Sequence, residues 1–216
     1  MATKRAILTS LHGHEFGLDS DRDLVLGGVQ ITELDASRGT ENGSTVSCTH
    51  YGNGILNKTV LTCTATPITI SDDAGVAQYG GVKVFDFPAG WIHTMGAVID
   101  GALTAGVTGT IIDNWDGDVA LGTVTATTGA TLTGTEANIL PSAAVSAGAS
   151  DKIGIAEAGP VATALTESGG RWLDGSATAI DMYLNFVIDD DVTHTSGTAT
   201  FTGTITFVWI NLGDIS

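Results

Sequence analysis

The stretch from Met182 to Trp209 sets the terms for the fold. Met182, Leu184, Phe186 and Ile188 fall on one side of an extended chain, with Tyr183, Asn185 and Val187 on the other. Further on, Phe201, Ile205, Phe207 and Trp209 share one side, opposite Thr200, Thr202, Thr204 and Thr206. A helix would scatter such a period-two pattern around its axis, whereas a pleated strand sorts it onto two faces. The two runs are expected as half-buried antiparallel strands, with the threonine row turned to solvent or to another polar surface.

The same texture runs through most of the chain from Thr45. "STVSCTHYG", "KTVLTCTATPITI" and "GGVKVFDFPAG" alternate and are separated by "GNG" and "DDAG", which supply turn conformations. "HTMGAVIDGALTAG", "GTIIDNWDGDVALGTVTA" and "ATLTG" continue the pattern, and "WLDG" leads into the terminal pair. Thr135 is placed to cap a single helical turn ending before Pro141. The small-residue stretch from Ser142 to Gly170 is expected as loop with one or two weak strands. Gly, at 29 residues, and β-branched residues are abundant, while Lys and Arg number only 8, so helix formers are scarce. The expectation is an all-β antiparallel sandwich, jelly-roll-like, over residues 41–216. It is preceded by an extended N-terminal arm over 1–40 with one short strand in "DLVLGGVQITEL". At 216 residues, such a unit removes roughly 70% of its extended surface from water and needs no staples.

A net charge of −16 repels phosphate backbones and anionic lipid, so neither nucleic acid nor membrane is expected as a partner. The apolar run after Lys4 and Arg5, Ala6 to Leu8, is too short for a signal segment. Cys48 and Cys63, each in an alternating stretch, are expected as reduced, buried thiols.

Each polar cluster falls short of a complete site. Asp189, Asp190 and Asp191 are adjacent, so their carboxylates diverge; a calcium site would need more oxygens, for which Thr193 and Thr195 are the nearest source. Asp19, Asp21 and Asp23 open like an EF-hand loop, but Leu24 and Gln30 stand where its glycine and glutamate belong. Asp113 to Asp118 fails in the same way, with Trp115 at the third position. His12, His14 and Glu15 would form half a metal site without further ligands, and His93 reads as a hydrogen-bonded strand histidine. Nucleophile elbows, phosphate loops and dinucleotide fingerprints are absent. Trp91, Trp115, Trp172 and Trp209 are scattered rather than grouped as a sugar platform. The expectation is no enzyme, with no catalytic, cofactor-binding or metal residues.

Three stretches carry a resemblance: "VFDFPAGWIHTMGAV" (Val84 to Val98), "WDGDVALGTVTATTGATLTGTEANILPS" (Trp115 to Ser142) and Asp174 to Asp214. Together with "EFGLDSDRDLVL", they resemble tailed-bacteriophage capsid decoration (cement) proteins. The resemblance implies a structural virion protein on the outer surface of a phage head, assembled in the host cytoplasm. It further implies a homotrimer bound to the major capsid protein, its arm reaching over neighbouring subunits. A jelly-roll carbohydrate-binding module for host attachment and a tail or baseplate protein are the alternatives. A polymer hydrolase would need two carboxylates meeting in the fold.

Overall fold

The computed structural model describes residues 6–9, 15–18, 24–26, 29–30, 38–52, 56–73, 77–105, 117–145, 152–159, 172–188 and 197–213. Within the expected arm, β1 (Ala6–Thr9), β2 (Glu15–Leu18), β3 (Leu24–Leu26) and β4 (Val29–Gln30) form a four-stranded antiparallel meander of their own, where one short strand was expected.

The rest is the expected all-β sandwich, made by one eleven-stranded sheet that curls over a common core. Its strands are β5 (Thr40–Glu41), β6 (Val46–Gly52), β7 (Leu56–Asp73), β8 (Ala77–Asp86), β9 (Gly90–Ala105), β10 (Gly117–Gly122), β11 (Leu140–Val145), β12 (Lys152–Gly159), β13 (Trp172–Gly175), β14 (Asp181–Ile188) and β15 (Gly197–Asn211). One layer runs β6–β7–β15–β9, with β12 and β13 end to end along the far edge of β9. The other runs β5–β8–β14–β10–β11. They join where the end of β7 (Ile70–Asp73) pairs with the start of β8 (Ala77–Gly80). All pairings are antiparallel.

Strands as long as β7, β9 and β15 cannot stay straight in a curled sheet. The β7–β15 register shifts between Phe201 and Gly203, close to Ala65, whose φ is 48°, and the β9–β15 register shifts between Val208 and Trp209. Gly203 lies opposite Gly101. A Cβ on Gly203 would come within 2.4 Å of the Gly101 Cα, so the close approach at the bend requires glycine.

The core follows the alternation. Leu61, Ile68, Ile99, Phe201, Ile205, Phe207 and Trp209 point in from the first layer. Val119, Leu121, Met182, Leu184, Phe186 and Ile188 meet them from the second. At one end Phe85, Phe87, Phe207 and Trp209 pack edge to face, with ring centroids 5.1 to 6.4 Å apart. This geometry sets positive ring edges against negative faces.

Two local expectations are corrected. The helical turn is 3-10, Gly134–Glu136, and begins after Thr133 rather than Thr135. "ATLTG" is no strand: it belongs to the irregular segment between β10 and β11, which folds onto the outer face of the second layer. The weak strands expected after Ser142 correspond to β11, which begins at Leu140, and β12.

Candidate functional site

The outward faces of the two layers differ in what covers them. In β14, Asn185 and Val187 point away from the main core, yet both are fully buried. The segment from Thr123 to Ile139 lies over them. The Asn185 amide donates to the backbone oxygens of Val124 (2.9 Å) and Glu136 (2.8 Å), and its Oδ1 accepts from the Ala126 N–H (3.0 Å). Val187 packs with Ala120, Ala126, Leu132 and Ala137 in a small second core. Gly81 permits this approach, because a Cβ there would stand 2.3 Å from Asn185 Oδ1.

The first layer's outward face has no such roof among the described residues. Its side chains form four cross-strand rows. Leu56, Ile210, His93 and Trp172 make the first, and Tyr51, Lys58, Val208 and Gly96 the second. Thr49, Val60, Thr206 and Val98 make the third, and Ser47, Thr62, Thr204 and Asp100 the fourth. The formally charged residues in these rows are one of each sign, Lys58 and Asp100, in a chain of net charge −16. Six of the seven large apolar side chains that stand exposed among the described residues lie here: Tyr51, Leu56, Met95, Val98, Trp172 and Leu212. Met95 is the extra residue of a bulge opposite Val208 and Trp209, and Leu212 continues the outward parity of β15. Trp172 stacks on His93 with ring centroids 4.3 Å apart and planes inclined by 17°. Lys58 Nζ sits 5.7 Å from the Tyr51 ring.

At one edge lies the group most like a catalytic constellation. The Cys48 thiol donates to Glu41 Oε2 (2.8 Å) and lies 3.3 Å from His50 Nε2. His50 Nδ1 is 3.0 Å from Thr59 Oγ1, which accepts from Trp209 Nε1 at 3.0 Å. One assignment satisfies the whole chain: Trp209 donates to Thr59, Thr59 to His50 Nδ1, His50 Nε2–H to sulfur, and sulfur to Glu41. Burial, then the Glu41 carboxylate, push the Cys48 thiol up to about 11. Burial and the nearby Arg38 guanidinium hold His50 below its ordinary value. The Cys48 hydrogen bond holds Glu41 low. An activated cysteine needs the reverse, a depressed pKa. This group therefore ties the β5–β6 edge to the core through a protonated thiol and a neutral imidazole, with the ionised Glu41 carboxylate as acceptor.

A second polar group closes the end of the β8–β14 pair. Lys83 bridges Asp86 and Asp181 (3.0 Å to the latter), and Tyr183 Oη donates to Asp181 at 3.2 Å. Burial raises Asp86 above the ordinary carboxylate value. For Asp181, burial is outweighed by hydrogen bonds from Asp86 and Lys83, which hold it low. Both carboxyls converge on the one Lys83 ammonium.

The sequence candidates are only partly brought together. Asp189 to Asp191, Thr193, Thr195, Asp19, Asp21, Asp23, His12, His14, Asp113 and Trp115 lie outside the described residues. Asp118 sits in β10. Cys63 is a buried free thiol as expected, while Cys48 is free but only half-buried. Trp209 is core. The Glu41–Cys48–His50 group went unread; its signal was the spacing of two between Cys48 and His50 on an alternating strand, which gives them one face.

No family model and no curated protein matches the chain. Among solved structures, it is similar to those of infectious bursal disease virus, Gt and Gx strains. Identities are 11% and 12%, with TM-scores of 0.25 and 0.23. The overlap takes in 99% and 98% of this chain but 66% and 64% of those chains. At these TM-scores the likeness carries no argument about function.

Proposed function

We propose that this chain is a structural virion protein, a decoration protein that binds the outer surface of a phage head as a homotrimer and stabilises the shell through the major capsid protein. The observation that carries the reading is the broad, nearly uncharged face of the first layer in a strongly acidic chain. Such a surface is suited to burial against protein rather than to chemistry. The stretches that resemble the decoration family include all of β15 and the first part of β9, two of the strands that make this face. The reading assigns no enzymatic role, and the protonated Cys48 thiol agrees with that. Several modest contacts made by one oligomer raise retention on a shell through effective concentration.

The test compares purified heads with and without the protein. The expected result is co-sedimentation of the protein with heads and greater resistance to heat or osmotic shock. Failure to co-sediment at tens of micromolar would overturn the reading. A second reading, carbohydrate recognition, is favoured by one feature: Trp172, half exposed and stacked on His93 beside Asp174, as in an aromatic sugar platform. Glycan-array binding that is lost in Trp172→Ala would support it over shell binding.

A further inference from the structure

We infer that the corner of the first layer where β13 meets β9 receives a cationic side chain, an arginine above all, from the protein partner. The inference deepens the shell-binding reading above and rests on it for what that partner is.

Register builds the corner. Trp172 stands opposite His93, and Asp174 opposite Trp91. Leu173 and Ile92, between them, are buried in the core, so all four point outward. Side chains paired across two strands lie about 5 Å apart at Cβ, and diagonal ones about 7 Å, so one planar group can touch both Trp172 and Asp174. His93 covers one face of the Trp172 indole, with ring centroids 4.3 Å apart. Trp172 is nevertheless 49% exposed, which leaves the opposite face of the ring open. Asp174 is exposed too. Its Oδ1 accepts from the Ser176 hydroxyl at 2.6 Å and the Ser176 N–H at 3.1 Å. These bonds hold its carboxyl below the ordinary value, so a fixed negative charge stands beside the ring.

Charge and composition select the occupant. An indole face and a carboxylate both attract a cation, and a guanidinium can stack on the first while its N–H groups bond the second. The net charge of −16 draws such a group in and repels anions. Leu212, hydrogen-bonded beside Trp91, and Met95, two residues beyond His93, are each 49% exposed. They suit the apolar stem of an arginine or lysine. A pyranose stacked on the same ring would turn hydroxyls toward these apolar neighbours, where they lose water without replacement.

The full chain is to be titrated, by NMR observed on the ligand, with three probes: acetyl-glycyl-arginyl-glycine amide, its uncharged citrulline counterpart, and methyl hexosides. The expected result is saturable binding of the arginine peptide at millimolar concentration, with an upfield ring-current shift of its δ protons. The citrulline peptide should bind about tenfold more weakly. Trp172→Ala should abolish the shift, and Asp174→Asn should weaken binding about tenfold. Circular dichroism melts establish that both variants are folded, and each tests the corner if the other is not. Equal binding of arginine and citrulline, no saturation, or indifference to both variants overturns the inference. Saturation by a hexoside in place of arginine overturns it in favour of sugar recognition. Co-sedimentation with heads separates the two ideas. Head binding undiminished in both variants removes the corner and leaves decoration standing, while a chain that binds the arginine peptide and ignores heads does the reverse.

Discussion

Asn185 and Thr204 both face away from the main core, one in each layer, yet the first is fully buried and the second partly open to solvent. By alternation alone they are equivalent. What separates them is one side chain able to bond three backbone groups of an overlying segment, and a glycine at position 81 that lets the segment come close. The threonines of β15 have no corresponding roof among the described residues. An outward polar residue is therefore not simply a solvated one: amides can recruit a covering loop, whereas rows of threonine and valine remain flat and available. The molecule seals one face with its own chain and leaves the other for a partner.

The largest effect is expected in the core that both layers share. Phe207→Ala removes a ring packed against Phe85 and Phe87 and should cost about 3–5 kcal/mol, read by denaturant unfolding. Asn185→Ala should follow at about 2–4 kcal/mol, since it leaves one N–H and two carbonyls without their partner. Early proteolysis between Thr123 and Ile139 should accompany it; if that segment stays protected, the roof does not depend on Asn185.

Smaller effects come from the edge group. Cys48 and Cys63 are both raised from 9.0 to about 11 in the folded chain. Between those values the unfolded state holds fewer protons, so stability falls as pH rises from 9 toward 11. Cys48→Ser should soften that fall. At pH 7, Cys48 should alkylate roughly 100-fold more slowly than an ordinary thiol, in line with its smaller thiolate fraction. His50 behaves oppositely: its folded pKa lies below 6.5, so the unfolded state binds the proton first and stability falls as pH drops below 6.5. His50→Gln should flatten the acid side of the curve. The smallest effect belongs to the bare face, where Thr62→Ser should change stability by no more than about 0.5 kcal/mol. A loss as large as that of Asn185→Ala would mean this face, too, is built into the monomer.

Much of the fold was legible because period-two alternation reports directly which side chains face the core. Met182 to Ile188 and Phe201 to Trp209 sit where their pattern puts them. The roof was not legible. Thr131 and Thr133 around Leu132 mimic a strand, and nothing near Asn185 in sequence indicates that a segment about 50 residues earlier will fold over it. The edge group was half legible: Cys48 and His50 share a face by spacing, but Glu41 comes from another strand and Thr59 from a third. The candidate face could be read only in part, as the threonine row of β15. Its extent appears once register sets Val60, Thr206 and Val98 side by side.

The placement of β15 bears on how the protein is made. This late strand lies between β7 and β9, hydrogen-bonded along both, so neither neighbour finds that partner until residue 211 has emerged from the ribosome. Two long strand edges wait meanwhile, exposed to pairing with the wrong chain. Contacts this distant in sequence also make for slow closure. Synthesis rate and crowding among nascent chains, as much as the stability of the finished molecule, will decide how much of it folds.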